Sequence, residues 1–220
     1  MLDLERIRGQ TLRTEPFGWA VVGDLFDAAD AALLAESYPR DHFKTVRGYG
    51  GEKDYEYEAR SLIHMDSRRT SHEAHLSSSW RALADDLKSP AYRSAMTQLA
   101  GVELGTQPME VNVFHYGPRS LLGPHTDLED KLVTQVIYFN RTWDPADGGC
   151  LHILRSGSLS DVAAIVPPLL GSSAVIVRST RSWHAVSRVA SDSNTSRKSV
   201  TITFYRHGSV SSMWPPGGER

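Results

Sequence analysis

The chain is poor in cysteine: Cys150 is the only one in 220 residues. That excludes an internal disulfide and suits a reducing compartment. Positive charge is not in excess either, with 24 lysine and arginine residues against 26 aspartate and glutamate and a formal net charge of −2. Charges of both signs are interspersed, so there is no basic stripe of the kind a nucleic-acid surface needs. No stretch approaches the roughly 18 apolar residues of a membrane span. The opening residues Met1-Leu2-Asp3-Leu4-Glu5-Arg6 also lack a basic segment running into an apolar one. A cytoplasmic protein without nucleic-acid or membrane partners is expected. The Asn140-Arg141-Thr142 and Asn194-Thr195-Ser196 sequons then carry no meaning, because glycosylation needs a secreted chain. Internal repeats and long low-complexity tracts are absent too.

What is present suits a single domain over 1–220, a length that β-barrel and sandwich enzymes often reach as one unit. Three parts are expected: an N-terminal strand with supporting helices over 1–104, a β-rich core over 105–206 and an irregular tail over 207–220. Phe17-Gly18-Trp19-Ala20-Val21-Val22 reads as a short strand, and Asp27 is placed to cap a helix that runs to about Tyr38 before Pro39 stops it. The pattern then weakens over 40–69. Arg47 to Tyr57, with its glycines, tyrosines and charges, reads as a surface loop, and a loop of that length inside a compact domain is expected to be a lid. A second helix is expected from Ser71, with Leu76, Trp80, Leu83 and Leu87 along one face. A third starts at Ser89-Pro90, turns Ala95, Met96 and Leu99 inward and ends at Gly101.

After Gly101 the period changes to two. Met109–Tyr116, Lys131–Asn140, Cys150–Leu154, Val162–Val166, Ser173–Val177, His184–Val189 and Lys198–Tyr205 are β-rich runs separated by turn signals such as Gly117-Pro118, Asp147-Gly148-Gly149 and Pro167-Pro168. With a short strand holding His125, about eight strands fall within a hundred residues, which predicts a closed or two-sheet antiparallel barrel.

The chemistry centres on Gly123-Pro124-His125-Thr126-Asp127. In a strand, residues i and i+2 point to one face, so His125 and Asp127 converge. Downstream, Arg181-Ser182-Trp183-His184-Ala185-Val186 supplies a third ligand in His184. Two imidazoles and one carboxylate cap one face of an iron and leave the other open, the arrangement of non-haem Fe(II) oxygenases. His42, His64, His72, His75, His115, His152 and His207 lack such a pattern; His115 and His152 lie nearest the motifs.

Tyr116-Gly117-Pro118, Gly123–Asp127, Ile137-Tyr138-Phe139-Asn140, Gly148-Gly149-Cys150-Leu151, Trp183-His184-Ala185-Val186 and Arg197–Phe204 together resemble the Fe(II)/2-oxoglutarate-dependent dioxygenase superfamily. The flavour is that of a small bacterial member of the prolyl-4-hydroxylase-like branch, and the resemblance covers roughly 105–206. It implies a double-stranded β-helix, the jelly-roll or cupin-like core, of about eight antiparallel strands flanked by N-terminal helices. It implies Fe(II), 2-oxoglutarate and O2 as cofactors, with ascorbate supportive, and His125, Asp127 and His184 as the metal and catalytic set. Arg197, thirteen residues after His184, matches the basic residue that holds the distal 2-oxoglutarate carboxylate, and Tyr116 matches a tyrosine that donates to it. Lys198, the neighbouring cation, should face the other way.

The same resemblance implies oxidation of an unactivated C–H position coupled to decarboxylation of 2-oxoglutarate to succinate and CO2. An aspartate at 127, where halogenating relatives carry a small residue, points to oxygenation. The substrate is expected to be a small soluble metabolite, an amino-acid derivative or a sugar or aminosugar of a natural product, which is hydroxylated or oxidatively cyclised. Arg119, Trp183, Tyr55 and Arg60 are its expected contacts. Asn112, Thr201 and Thr203 are further polar candidates, alternation leaving open which of them face inward. The alternatives are a prolyl-type hydroxylase of protein side chains and a non-catalytic barrel that only binds. Cys150-Leu151-His152 departs from the family in lacking the acidic residue that commonly follows the two glycines, which bears on substrate class. A monomer or homodimer is expected.

Overall fold

The computed structural model describes residues 1–65, 68–211 and 213–214. Positions 66–67, inside the expected lid, and 212 and 215–220, inside the expected tail, lie outside the described residues.

Among the described residues, four α-helices and eleven strands make up the fold: α1 Leu4–Arg8, β1 Trp19–Val22, α2 Ala28–Glu36, β2 Lys44–Gly48, β3 Tyr55–Ile63, α3 Ser78–Lys88, α4 Pro90–Ala100, β4 Met109–Tyr116, β5 Leu121–His125, β6 Lys131–Tyr138, β7 Leu151–Leu154, β8 Val162–Val166, β9 Ser173–Val177, β10 His184–Val186 and β11 Arg197–Tyr205. Pairing runs β1-β9-β6-β11-β4-β3-β5-β10-β7-β8, with β2 on β3. All of these strand pairings are antiparallel. Strands β4, β11, β6 and β9 form one wall and β5, β10, β7 and β8 the other. This is the two-walled jelly-roll that the spacing of β-runs and turns leads one to expect. No helix among the described residues is long and apolar enough to cross a membrane.

The helices cover one face of the large wall. Their starts follow from side-chain capping: Asp27 accepts from Asp30 N, Ser77 from Trp80 N and Ser89 from Tyr92 N, each satisfying an N–H that the first turn leaves without a partner. Gly101, in the left-handed region at φ 66°, closes α4. Leu34, Trp80, Leu83, Leu87, Met96 and Leu99 pack with Val111, Val113, Ile137, Val200 and Ile202 in the main core. On strands of period two this leaves Glu110, Asn112, Phe114 and Tyr116 of β4 facing the barrel interior.

Three expectations need correction. The helix expected from Ser71 begins at Ser78, because a short 3-10 turn over Glu73–His75 precedes it and Ser77 is the cap. The stretch expected to be a long lid loop is largely a β-hairpin: β2 pairs with β3 from Lys44↔Ala59 to Gly48↔Tyr55, so the turn spans only 49–54. β3 also pairs with both β4 and β5, bridging the two walls. Alternation explains this, since Tyr55, Tyr57 and Ala59 turn inward while Glu58 is exposed. A run α1 at the N-terminus is the third difference, held by Asp3 accepting from Glu5 N and Arg6 N.

The Gly148-Gly149 turn has a steric cause. Gly148 sits at φ 70°, ψ −143°, a region essentially confined to glycine, and a Cβ there would lie 1.9 Å from the Arg188 carbonyl oxygen. Gly148→Ala is therefore expected to cost at least about 3 kcal/mol of stability. A urea midpoint unchanged from wild type would contradict that placement.

Candidate functional site

His125 ends β5 and His184 begins β10, and the two are direct cross-strand partners with ring centroids 4.2 Å apart. Asp127 lies two residues beyond the end of β5, not within the strand as expected. It reaches the same place because Thr134 Oγ1 on β6 donates to Asp127 Oδ2 at 3.0 Å and Lys131 Nζ donates to Oδ1 at 2.7 Å. All three side chains are buried, and each offers a ligand atom within 4.8 Å of the others. The imidazoles are oriented by their own backbone. Nδ1 of His125 lies 2.9 Å from the Gly123 carbonyl, and Nδ1 of His184 lies 2.9 Å from that of Ser182. A carbonyl only accepts, so Nδ1 carries the hydrogen and Nε2 keeps its lone pair.

The electrostatics point the same way. Burial lowers the pKa of His125, helped by the charges of His184 and Lys53, and burial lowers that of His184. Burial alone would raise Asp127, but Lys131 and the two histidines outweigh it and hold the carboxyl well below its usual range. Neutral imidazoles beside an ionised carboxylate form a donor set that suits Fe(II).

These histidines make the metal-free protein acid-labile. His115, held down to about 4 by burial and the Lys198 charge, adds to the effect. A histidine whose folded pKa lies below its unfolded one leaves stability intact above the unfolded value, near 6.5, and loses it as pH falls. The share of His115 disappears between 6.5 and about 4. Each such histidine contributes on the order of 1.4 kcal/mol per pH unit within its window. Urea unfolding of metal-free protein at about pH 7.5 and pH 5 should show this, with proton uptake on unfolding; coincident curves would mean that these rings are solvated.

Beside the triad, a cavity of about 130 Å3 is lined by Lys53, Tyr57, Phe114, Tyr116, Thr134, Arg197 and the three candidate ligands, among others. Arg197 and Tyr116 are opposite each other in the β11–β4 ladder, and the guanidinium carbon lies 4.8 Å from the Tyr116 ring and 5.2 Å from that of Tyr138. Arg197 is 2% exposed; its Nη1 donates to Ser199 Oγ at 2.9 Å, while its Nε has no partner. The buried Tyr138 hydroxyl has none either. An unused donor on a buried arginine that lines the cavity fits an acceptor-only group, a carboxylate. Lys198 faces away, toward the Tyr38 ring, as expected.

A second cavity of about 450 Å3 shares Lys53, Tyr57, Phe114, Asp127, Lys131, Thr201 and Met213 with the first. It adds Lys44, Tyr55, Glu110, Asn112, Thr203 and Tyr205. Asn112, Thr201 and Thr203 thus all face inward, and Tyr55 lines the same cavity. Burial, with the nearby Lys131 charge, lowers Lys53 to about 8.

The other expected substrate contacts lie elsewhere. Arg60 points to the opposite face of β3, where its Nε is 3.6 Å from Asp41. Asp41, His42 and His75 there form the other group among the described residues whose ligand atoms converge within 4.8 Å. Trp183 alternates with His184 and lines an outer groove with Leu159 and Gly157. Arg119 is exposed on a turn, at φ 69°. His115 and His152 sit on outward positions of β4 and β7, between the inward Phe114 and Tyr116 and between Leu151 and Ile153. Missed by sequence reading were Tyr138, Lys53, Lys131, Thr134 and Glu110; alternation with Tyr116 marked Glu110, and a small polar residue on a strand gives no comparable signal.

Residues 111–205 match the model of the 2OG-Fe(II) oxygenase superfamily. This part of the chain carries the domain of that superfamily. It is an Fe(II)/2-oxoglutarate-dependent dioxygenase by class. Among solved structures, a Pseudomonas putida prolyl-4-hydroxylase is 23% identical, with a TM-score of 0.59 over 93% of this chain and 100% of that one. A 2OG-Fe(II) oxygenase family oxidoreductase from Burkholderia pseudomallei is 16% identical, with a TM-score of 0.64 over 94% and 92%. The epimerase SnoN, solved with Fe3+, alpha ketoglutarate and nogalamycin RO, is 16% identical, with a TM-score of 0.54 over 92% and 83%. At these identities the likeness is one of fold. No curated protein matches the chain.

Proposed function

We propose that this oxygenase hydroxylates or oxidatively cyclises an unactivated C–H position of a small metabolite, an amino-acid derivative or a sugar or aminosugar. His125, Asp127 and His184 would hold Fe(II), and Arg197, with Tyr138 and Tyr116, would hold the distal carboxylate of 2-oxoglutarate. The observation that carries this reading is the buried Arg197 with an unused Nε, lining the same cavity as three converging ligand side chains. When bound, iron and the oxoacid supply the oxidising power, drawn from O2 and the decarboxylation to succinate and CO2. The protein's part is positional. Gly123 and Ser182 carbonyls fix the two imidazole tautomers, and Lys131 and Thr134 keep Asp127 ionised and aimed. Phe114, Val136, Leu151 and Ile176 wall the first cavity and keep water from the reacting atoms.

A cavity of about 450 Å3 lies within the range of small-molecule pockets. Met213 and Trp214 flank it, with Trp214 Nε1 donating to Asn112 Oδ1 at 2.6 Å. This supports a compact substrate over an extended peptide. The prolyl-type reading rests on the fold likeness to the Pseudomonas putida enzyme. Anaerobic titration with Fe(II) and then 2-oxoglutarate tests the cofactor assignment: the weak visible charge-transfer band of a chelated oxoacid should appear. Its absence at saturating concentrations would defeat the reading. Oxoacid consumption stimulated by proline-containing peptides and not by small amines or sugars would favour the prolyl-type alternative, and failure of every ligand to stimulate it would favour a binding protein.

A further inference from the structure

Glu110 is an incompletely partnered charged group in the interior. It is 3% exposed and stands on the inward face of β4 in the wall of the 450 Å3 cavity. Its Oε2 accepts from Asn112 Nδ2 at 3.1 Å and lies 3.5 Å from the Tyr205 hydroxyl, while its buried Oε1 has no partner. No lysine, arginine or histidine among the described residues lies within ion-pair distance of it. Lys44 is near enough to feel its charge, but Lys44 Nζ donates to the Met213 carbonyl at 2.6 Å and lies 3.8 Å from the centre of the Trp214 ring. Asn112 cannot turn to serve Oε1, because its Oδ1 is engaged by Trp214. A buried carboxylate needs compensation, and one oxygen of this one is buried without a hydrogen-bond partner.

The same cavity has a cation without a close ion-pair partner among the described residues. Lys53, in the turn between β2 and β3, lines both cavities; among the described residues Asp127 and Glu52 act on it through their charge, without a hydrogen bond or close ion pair. The neighbouring Lys131 is already committed to Asp127 at 2.7 Å. Aromatic side chains of Tyr55, Tyr57 and Phe114 lie on the wall shared by the two charged groups. An acceptor-only oxygen and an ammonium without a close ion-pair partner in one small cavity call for a ligand with a donor at one place and an anion at another.

We infer that the substrate is amphoteric, an amino acid or amino-acid derivative whose ammonium group docks on Glu110 and whose carboxylate docks on Lys53. This rests on the oxygenase reading and narrows it, setting the neutral sugars aside. It also assigns the two specificity-determining residues. Glu110 rejects an acylated nitrogen, because an amide brings no charge and adds bulk against Asn112 and Tyr205. Lys53 rejects a carboxamide.

The test is calorimetric binding of a panel of free L-amino acids, their N-acetyl derivatives, their carboxamides and glucosamine. Binding is measured to protein loaded anaerobically with Fe(II) and 2-oxoglutarate, and to metal-free protein. At least one free amino acid is expected to bind at least about tenfold more tightly than its N-acetyl and carboxamide forms. Glu110→Gln, which keeps the size and the Asn112 contact, should abolish the first preference and leave the second. Lys53→Met should do the reverse. Both variants are checked for an unchanged unfolding midpoint, and the selective loss of one preference is an effect that general loosening would not give. A panel without discrimination, a panel without binding, or glucosamine binding as tightly as every amino acid and unaffected by Lys53→Met would overturn the inference. Amino-acid binding that depends on Glu110 in a protein that shows no oxoacid band would instead sustain this subsite and defeat the cofactor assignment.

Discussion

Replacement of Asp127 by alanine is expected to weaken Fe(II) binding by at least about 100-fold, since changes one shell further out already cost about 10- to 100-fold. Two effects combine here. The variant deletes the only anionic member of the three-ligand set, and it leaves Lys131, whose Nζ sits 2.7 Å from Oδ1 and is 20% exposed, without a counter-charge beside two imidazoles. A free ammonium so close repels a dication. Adding Lys131→Met to Asp127→Ala should therefore recover part of the loss, whereas a lost ligand alone would not respond to Lys131. Anaerobic titration followed by the Co(II) ligand-field spectrum, with Co(II) standing in for Fe(II), reads the affinity directly and does not depend on turnover. His184→Ala should behave as Asp127→Ala does in Fe(II) affinity but without the Lys131 dependence. Equal metal affinity in wild type and Asp127→Ala would remove this site from consideration and turn attention to Asp41, His42 and His75.

The Lys131 contact also shows why some of the site was readable and some was not. The convergence of His125, Asp127 and His184 was legible because their residue types and order are those a two-histidine, one-carboxylate site requires, whatever the fold does locally. The route by which Asp127 arrives was not. An i, i+2 rule presumes a strand through 127, but β5 ends at His125, and the carboxylate is held by hydrogen bonds from β6 that only tertiary structure supplies. The Arg197–Tyr116 pairing was legible from position, since both matched family motifs, yet their opposition in the β4–β11 ladder comes from sheet register. Arg60 illustrates the opposite failure. Its proximity in sequence to Tyr55 and Tyr57 suggested a shared surface, but an odd-to-even step along β3 puts its guanidinium beside Asp41 on the far face. The lid expectation failed because glycines at 48, 50 and 51 and the charges around them resemble a loop, and they outweighed the alternation of Tyr55, Tyr57 and Ala59 that marks β3. Helix faces fared better than helix starts: Leu76, Trp80, Leu83 and Leu87 are all buried as the 3.6-residue period requires, although α3 starts at Ser78.

Arg197→Met should separate cofactor binding from folding. Removing one partner of a buried charge-assisted pair costs about 2–5 kcal/mol, so affinity for 2-oxoglutarate should fall between roughly 30-fold and several thousand-fold. In the ligand-free protein the balance differs. Arg197 is 2% exposed and its Nε is unpaired, so the native state already bears the desolvation of an incompletely compensated charge. Methionine forfeits the Ser199 contact and the stacking on Tyr116 and Tyr138, but it relieves that burden and fills similar space. The ligand-free unfolding free energy should therefore stay within about 1 kcal/mol of wild type while the stabilisation given by 2-oxoglutarate disappears. Arg197→Lys should fall between the two, because a shorter point charge cannot offer two parallel donors. Tyr138→Phe, which removes the other unused donor, should weaken the oxoacid by about tenfold. Thermal unfolding with and without 2-oxoglutarate, in the presence of Fe(II) and absence of O2, measures both quantities in one series. An Arg197→Met protein stabilised by the oxoacid as wild type is would move the distal carboxylate to Lys53 or Lys131, the other cations lining the first cavity, and if it moved to Lys53, Glu110 would be the one charged anchor left for the substrate.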